Sequence, residues 1–183
     1  MPSKLPAFPY HPDPIATGSV VSSDGACVCC NQARGFIYTG PVYTAGSEAD
    51  GICPWCIADG TAHAMLDASF TDDAGIGGYG AWDVVPTIVV EAIAYRTPGF
   101  SGWQQEQWWT HCNDAAEFIG RAGRRELEAL GPHAVAAIRD NTGLPEGPQW
   151  EEFLSALDKN SGPTAYLFRC RKCGQLGGYQ DCH

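Results

Sequence analysis

The chain has 183 residues, 44% of them hydrophobic, with 22 Gly, 13 Pro, 9 Cys and a net charge of −10 at pH 7. That length can bury a core and suits one domain over 1–183, and no apolar run approaches the roughly 20 residues of a membrane helix. The charge argues against extensive direct contact with nucleic acid, because affinity there comes largely from neutralising phosphates.

The opening Met1-Pro2-Ser3-Lys4-Leu5-Pro6 lacks the charged head and apolar stretch of an export signal, so a cytoplasmic location is expected. Residues 1–25 are Pro-rich and read as an extended arm ending in a strand near Ser19–Ser22. The stretch Gly35 to Tyr43 carries aromatic and β-branched residues with a Gly-Pro break, which predicts a strand. Asp59-Gly60-Thr61 caps a short helix over 61–69, and Thr71 to Gly80 reads as a loop. Pro86 to Tyr95 fits either a strand or a helix, and Pro86 at a first turn favours the helix. Of Trp103, Trp108 and Trp109, at least two are expected in the core. Asp114-Ala115-Ala116-Glu117 has the form of a capping box and predicts a helix through Phe118, Ile119 and Ala122. A break follows before Arg124–Leu130, with further helices opening at Pro132 and Pro148. Thr164 to Arg169 reads as a strand, with a return through Gly177-Gly178-Tyr179.

Charge is unevenly spread. Between Arg34 and Arg96 there is no Lys or Arg, while Glu48, Asp50, Asp59, Asp67, Asp72, Asp73, Asp83 and Glu91 fall there. Arg169, Arg171 and Lys172 form a small basic cluster, read as ordinary solvated charge or as a contact for an acidic or nucleic partner.

The cysteines carry the chemistry. In a reducing compartment, clustered thiols mean metal or redox work rather than disulfides. Cys27/Cys30, Cys53/Cys56 and Cys170/Cys173 are three Cys-x-x-Cys pairs, a turn that aims two thiolates at one ion; two such turns complete a tetrahedral zinc site. The 22 residues between the first two pairs match zinc-ribbon spacing, so Cys27, Cys30, Cys53 and Cys56 are assigned one site. A second site draws on Cys112, Cys170, Cys173 and Cys182, with His111 as the alternative to Cys112. Cys29 is left over, as a free thiol, a zinc-exchange ligand or, the favoured reading, a buried residue. One to two zinc ions follow. The expected fold is α+β: zinc-ribbon-like knuckles and short antiparallel strands with several short helices.

Several stretches together resemble the CbrC family, a group of largely uncharacterised bacterial proteins. They are Tyr10-His11-Pro12-Asp13-Pro14, Cys27-Val28-Cys29-Cys30, Tyr38 to Tyr43, Cys53-Pro54-Trp55-Cys56, Arg96 to Glu106, His111-Cys112-Asn113-Asp114 and Tyr166 to Cys170 with Cys173-Gly174. The resemblance implies a zinc-binding protein with no established enzymatic activity. It also implies a stress role, through colicin tolerance in enteric members or zinc limitation and ribosome hibernation in actinobacterial ones. Eight Arg against three Lys suit a high-GC actinobacterium. Tyr179-Gln180-Asp181-Cys182 varies from a family pattern with a His near this point.

The function expected is protein interaction without catalysis, with the ribosome or a hibernation factor as partner. The alternative is a thiol-disulfide redox protein using Cys53-Pro54-Trp55-Cys56, for which Val84 to Val90 would supply a Pro-containing strand. A hydrolase is disfavoured because His11, His63, His111, His133 and His183 show no catalytic spacing.

Overall fold

The computed structural model describes residues 4–46 and 49–182. Residues 1–3 of the Pro-rich arm, Glu48 of the acidic stretch and His183 lie outside them. The fold is α+β. In chain order the described elements are β1 (Val20–Ser22), β2 (Phe36–Tyr38), α1 (Pro54–Ala58), α2 (Thr61–Leu66), α3 (Thr87–Arg96), β3 (Thr110–His111), β4 (Asp114–Ala115), β5 (Glu117–Ala122), α4 (Arg124–Leu130), α5 (Pro132–Thr142), α6 (Pro148–Ala156), β6 (Thr164–Arg169) and β7 (Leu176–Asp181).

Among the described residues three sheets form, all antiparallel: β1 with β2, β3 with β4, and β5-β6-β7 with β6 in the centre. The central strand reads Thr-Ala-Tyr-Leu-Phe-Arg and is buried on both faces up to Arg169, as a strand covered on two sides must be. On one face Tyr166 and Phe168 join a cluster of Phe100, Trp108, Trp109, Phe118 and Tyr179. Phe100 stacks on Phe118 at 3.9 Å between centroids. Trp108 is fully buried and its indole N–H donates to the Ala116 carbonyl at 2.9 Å. On the other face Ala165 and Leu167 meet Leu127, Ile138, Trp150 and Leu154 from α4, α5 and α6. A third cluster, around Val20, Ile37, Ile52, Ile57 and Phe70, surrounds the first three cysteines to be buried: Cys27, Cys53 and Cys56.

The ambiguous segment after Pro86 is the helix α3. It buries Ile93 and Ala94 and leaves Ile88 in solvent, and its end is closed by the Thr97 hydroxyl donating to the Ala92 carbonyl at 2.8 Å. The helix expected from Asp114 does not form. Gly120, and Gly123 just after, each cost a helix about 1 kcal/mol, whereas pairing with β6 lets Phe118 pack on Phe168 at 5.1 Å. The Asp114 carboxylate caps no helix: one oxygen accepts from the Tyr10 hydroxyl at 3.1 Å and the other from Arg171 at 3.2 Å.

The Pro-rich arm is held by His11, which is fully buried. Its Nδ1–H donates to the Pro98 carbonyl at 2.7 Å and Nε2 faces the Thr17 hydroxyl at 2.7 Å. Burial lowers its pKa to about 4, against the opposing pull of the Pro98 carbonyl and Asp13. Between pH 6.5 and 4 the unfolded chain therefore binds a proton that the folded chain refuses. Stability should fall as pH drops through that window and level off below it, by at most about 3 kcal/mol; the His11 ring followed by NMR should titrate near pH 4. A second test lies at Gly178, where a Cβ would stand 2.0 Å from the Tyr166 carbonyl oxygen. Gly178→Ala should force β6 and β7 apart and cost about 1–3 kcal/mol, read as a lowered urea midpoint.

Candidate metal centres

The first site is built from a turn and a helix start. Cys27 opens a tight turn in which the Asn31 N–H donates to the Cys27 carbonyl at 2.8 Å and the Cys27 N–H to Gln32 at 3.0 Å. Asn31 takes the left-handed φ of 52° that the turn needs, tolerable for Asn because its short polar side chain bonds locally. Cys53 is the N-cap of α1, Pro54 sets the first helical turn, and Cys56 follows one turn on. The four sulfurs lie within 4.8 Å of one another, with Cys27–Cys56 at 3.8 Å and Cys30–Cys53 at 3.9 Å. A tetrahedral ion with metal–sulfur bonds of about 2.3 Å puts its sulfurs about 3.8 Å apart, so the residues fit such an ion.

The electrostatics ask for one. Burial pushes the thiol of Cys27 up, but N–H groups of Cys30, Cys53 and Cys29 directed at its sulfur outweigh this and bring its pKa to about 6. Two of these contacts are Cys53 at 3.2 Å and Cys29 at 3.4 Å. Its neighbours move the other way: Cys53 rises to about 11 and Cys56 further, through burial and the adjacent sulfurs. Like charges this close cannot all ionise unaided, whereas a divalent cation deprotonates them together. Cys29 stays outside the group, half-buried, its thiol pushed up to about 12 by burial and then by Cys27. It is therefore a poor nucleophile at neutral pH. The guanidinium of Arg34 covers the Trp55 ring at 5.4 Å.

The second site repeats the turn and replaces the helix with a hairpin. The Gly174 N–H donates to Cys170 at 2.9 Å and the Cys170 N–H to Gln175 at 2.8 Å, the pattern of Cys27 to Gln32, with Gly174 at φ 77° in the place of Asn31. Opposite it, β3 and β4 are joined by Cys112 and Asn113, at φ 58° and 55°, a two-residue turn with both centres left-handed. Consecutive strand residues point to opposite faces, but the left-handed turn brings Cys112 round beside His111. Both are therefore in the group, which is His111, Cys112, Cys170 and Cys173. His111 Nδ1 stands 3.2 Å from the Cys112 sulfur and 3.5 Å from that of Cys173. The expected edge for a tetrahedral ion with one nitrogen ligand is about 3.5 Å. The His111 ring stacks on Trp109 at 5.2 Å. Here too one thiol is favoured: Cys170, for which N–H groups of Cys173 and Lys172 and the contact with His111 outweigh burial, falls to about 6, while Cys112 rises to about 11.

Cys182 does not join the site, which corrects the expectation that the hairpin returns it beside Cys170. The β6–β7 register pairs Arg169 with Leu176 and Thr164 with Asp181, so Cys182 follows the far end of a six-residue strand, about 20 Å from the knuckle. It is exposed there, its carbonyl accepting from Gln104 at 2.7 Å. His111 fills the place. The signal in the sequence was the His-Cys dipeptide; what it lacked was the turn that lets both residues act. The basic cluster is exposed but paired. Arg169 pairs with Glu117 at 3.1 Å and Arg171 with Asp114 at 3.2 Å, while Lys172 donates to the Cys112 carbonyl at 2.9 Å. These contacts brace the knuckle against the hairpin.

With both sites in view, the comparisons follow. The sequence profile described as "Uncharacterised protein family (UPF0167)" matches residues 5–182. The chain belongs to this family. UPF0167 proteins of Mycobacterium bovis and Mycobacterium tuberculosis are each 48% identical to it, over 98% of this chain and 95% of theirs. A UPF0167 protein of Pseudomonas aeruginosa is 41% identical over 93% of both. No solved structure matches. No helix among the described residues is long and apolar enough to cross a membrane.

The sites differ in cover. Cys27, Cys53 and Cys56 are buried, whereas in the second group only Cys170 is and Cys173 is exposed. Metal should leave the second group first when a chelator is titrated in, followed by elemental analysis of the retained fraction. Cys173→Ser should lose one ion per chain and keep the rest of the fold. Cys53→Ser should lose the other and destabilise the core around Ile52 and Ile57. Cys182→Ser should keep the full metal content.

Proposed function

We propose that this chain is a non-enzymatic protein of the cytoplasm that binds two zinc ions and acts through protein interaction. The observation that carries the reading is the convergence of two complete sets of four soft donors. A Cys₄ or Cys₃His set suits zinc, and four protein ligands leave no open position for a substrate or an activated water. The redox alternative needs a free Cys53/Cys56 pair; both sulfurs instead sit against those of Cys27 and Cys30. The Pro-containing strand it called on is occupied by α3 from Thr87 onward.

The finer reading is a CbrC-type stress factor responsive to zinc supply and associated with ribosome hibernation. It rests on the resemblance, and its actinobacterial branch is supported by the excess of Arg over Lys and the mycobacterial relatives. The less covered second site is the natural place for zinc supply to be felt. Its ligand bonds would add to the Arg171–Asp114 and Lys172–Cys112 contacts that hold the knuckle to the hairpin, and so contribute to local folding.

Protein purified without added metal should carry two zinc ions per chain. Ribosome co-sedimentation, with and without chelation of the second site, should then differ between the metal states. Absence of zinc together with rapid alkylation of Cys53 would replace this reading with the redox one. Two zinc ions with no ribosome association in either state would remove the hibernation role and leave the zinc-binding one.

A further inference from the structure

Away from both metal sites, α2, α3 and the stretch from Ser69 to Asp73 enclose a cleft of about 450 Å³. Tyr43, His63 and Tyr95 supply aromatic walls and Asp67, Asp72 and Asp73 supply carboxylates. The His63 ring stacks on Tyr95 at 3.8 Å, 12° from parallel, and its Nδ1 faces the Ala68 carbonyl at 3.1 Å, which places the proton on Nδ1. The Tyr43 hydroxyl is anchored from behind by the buried Glu106 carboxylate, at 2.5 Å. Thr71, 1% exposed, also lines the cleft, and its hydroxyl has no protein partner among the described residues.

What the cleft lacks is a cation. No Lys or Arg lines it, and the chain has none between Arg34 and Arg96. The ion pairs among the described residues engage Asp114, Glu117, Glu126, Glu128, Asp140 and Glu146, and none of the three cleft carboxylates. A metal ion is not the complement, because the carboxylates do not converge as a ligand set; the groups that do are the two cysteine sites. Carboxylates spread around an aromatic-walled slot match an extended organic cation, held by its charge over the ring faces. Tyr79, 52% exposed with its hydroxyl towards Gly75, lies near enough to feel the charge of Asp72, a lining residue. The following segment exposes Val84 and Ile88 beside Asp83 and Glu91. Acid and apolar surface together describe the partner by charge complementarity.

We propose that this cleft binds a Lys or Arg side chain from a basic segment of a protein partner, with apolar residues of that segment resting on Tyr79. The proposal rests on the protein-interaction reading and names the chemistry of the partner. Two larger cavities beside α5 are each lined by both acidic and basic side chains and select no charge.

The test uses the zinc-loaded full chain and an octapeptide of Lys and Leu, with a Glu and Leu octapeptide as control. The Lys peptide should bind and shift the NMR signals of Tyr43 and Tyr95, while the Glu peptide does not. Asp72→Asn with Asp73→Asn should weaken binding about tenfold, and Tyr95→Leu, at unchanged charge, about fivefold. Glu151→Gln with Glu152→Gln on α6 removes the same charge and should leave affinity within about twofold. Equal losses in the two double variants, or binding without shifts at Tyr43 and Tyr95, would reduce the effect to net charge and overturn the proposal. Zinc content checks that each variant is folded. Failure here with zinc-dependent ribosome association intact overturns the cleft alone, whereas peptide binding by a chain without zinc overturns only the reading beneath it.

Discussion

Four sulfur donors held within 4.8 Å of each other around Cys27, Cys30, Cys53 and Cys56 are unstable as neighbours and stable as ligands. One thiol ionises readily and raises the pKa of the next, so the group resists full deprotonation until a cation supplies the missing charge. Much of the first core is arranged around this constraint. β1 and β2 bring the first knuckle to Ile52, Cys53 begins α1, and Ile57 and Phe70 close the far side. With so few long strands in this part, an ion held by the four sulfurs would do what sheet pairing does elsewhere.

The second site solves the same problem with different parts. The Cys170 knuckle repeats the hydrogen-bond pattern of the Cys27 knuckle, but its partner is a hairpin turn with two left-handed residues, where αL backbone costs a non-Gly residue about 1–2 kcal/mol. Such strain persists when its surroundings over-determine it. Here Lys172 on the Cys112 carbonyl, Arg171 on Asp114 and the stacking of Trp109 on His111 hold the turn. The basic cluster is therefore paired at the surface around the second site, while the stretch between Arg34 and Arg96 carries acidic residues and no Lys or Arg.

The link between these parts is the aromatic layer of Phe100, Trp108, Phe118, Tyr166 and Phe168. Trp109 extends from it to His111, and Tyr38 reaches it from the first core by accepting the Gly99 N–H at 3.1 Å.

By itself the sequence determined that the thiols meet in pairs, because a Cys-x-x-Cys turn aims both its sulfurs at a shared point. It also determined the helices at Pro132 and Pro148 and the strand at Thr164, where start signals and periodicity agree. It left three things to the tertiary structure. Asp114 to Ala122 has a helix-start signature, but β6 offered Phe118 a larger burial than a Gly-broken helix could. Pro86 to Tyr95 satisfied two periods, and the pocket awaiting Ile93 and Ala94 selected one. Which residue completed the second site depended on strand register: pairing Thr164 with Asp181 carries Cys182 away from Cys170, while the left-handed turn at Cys112 brings His111 and Cys112 in together. Register and turn handedness are set by partners distant in the chain, so no local pattern could have supplied them.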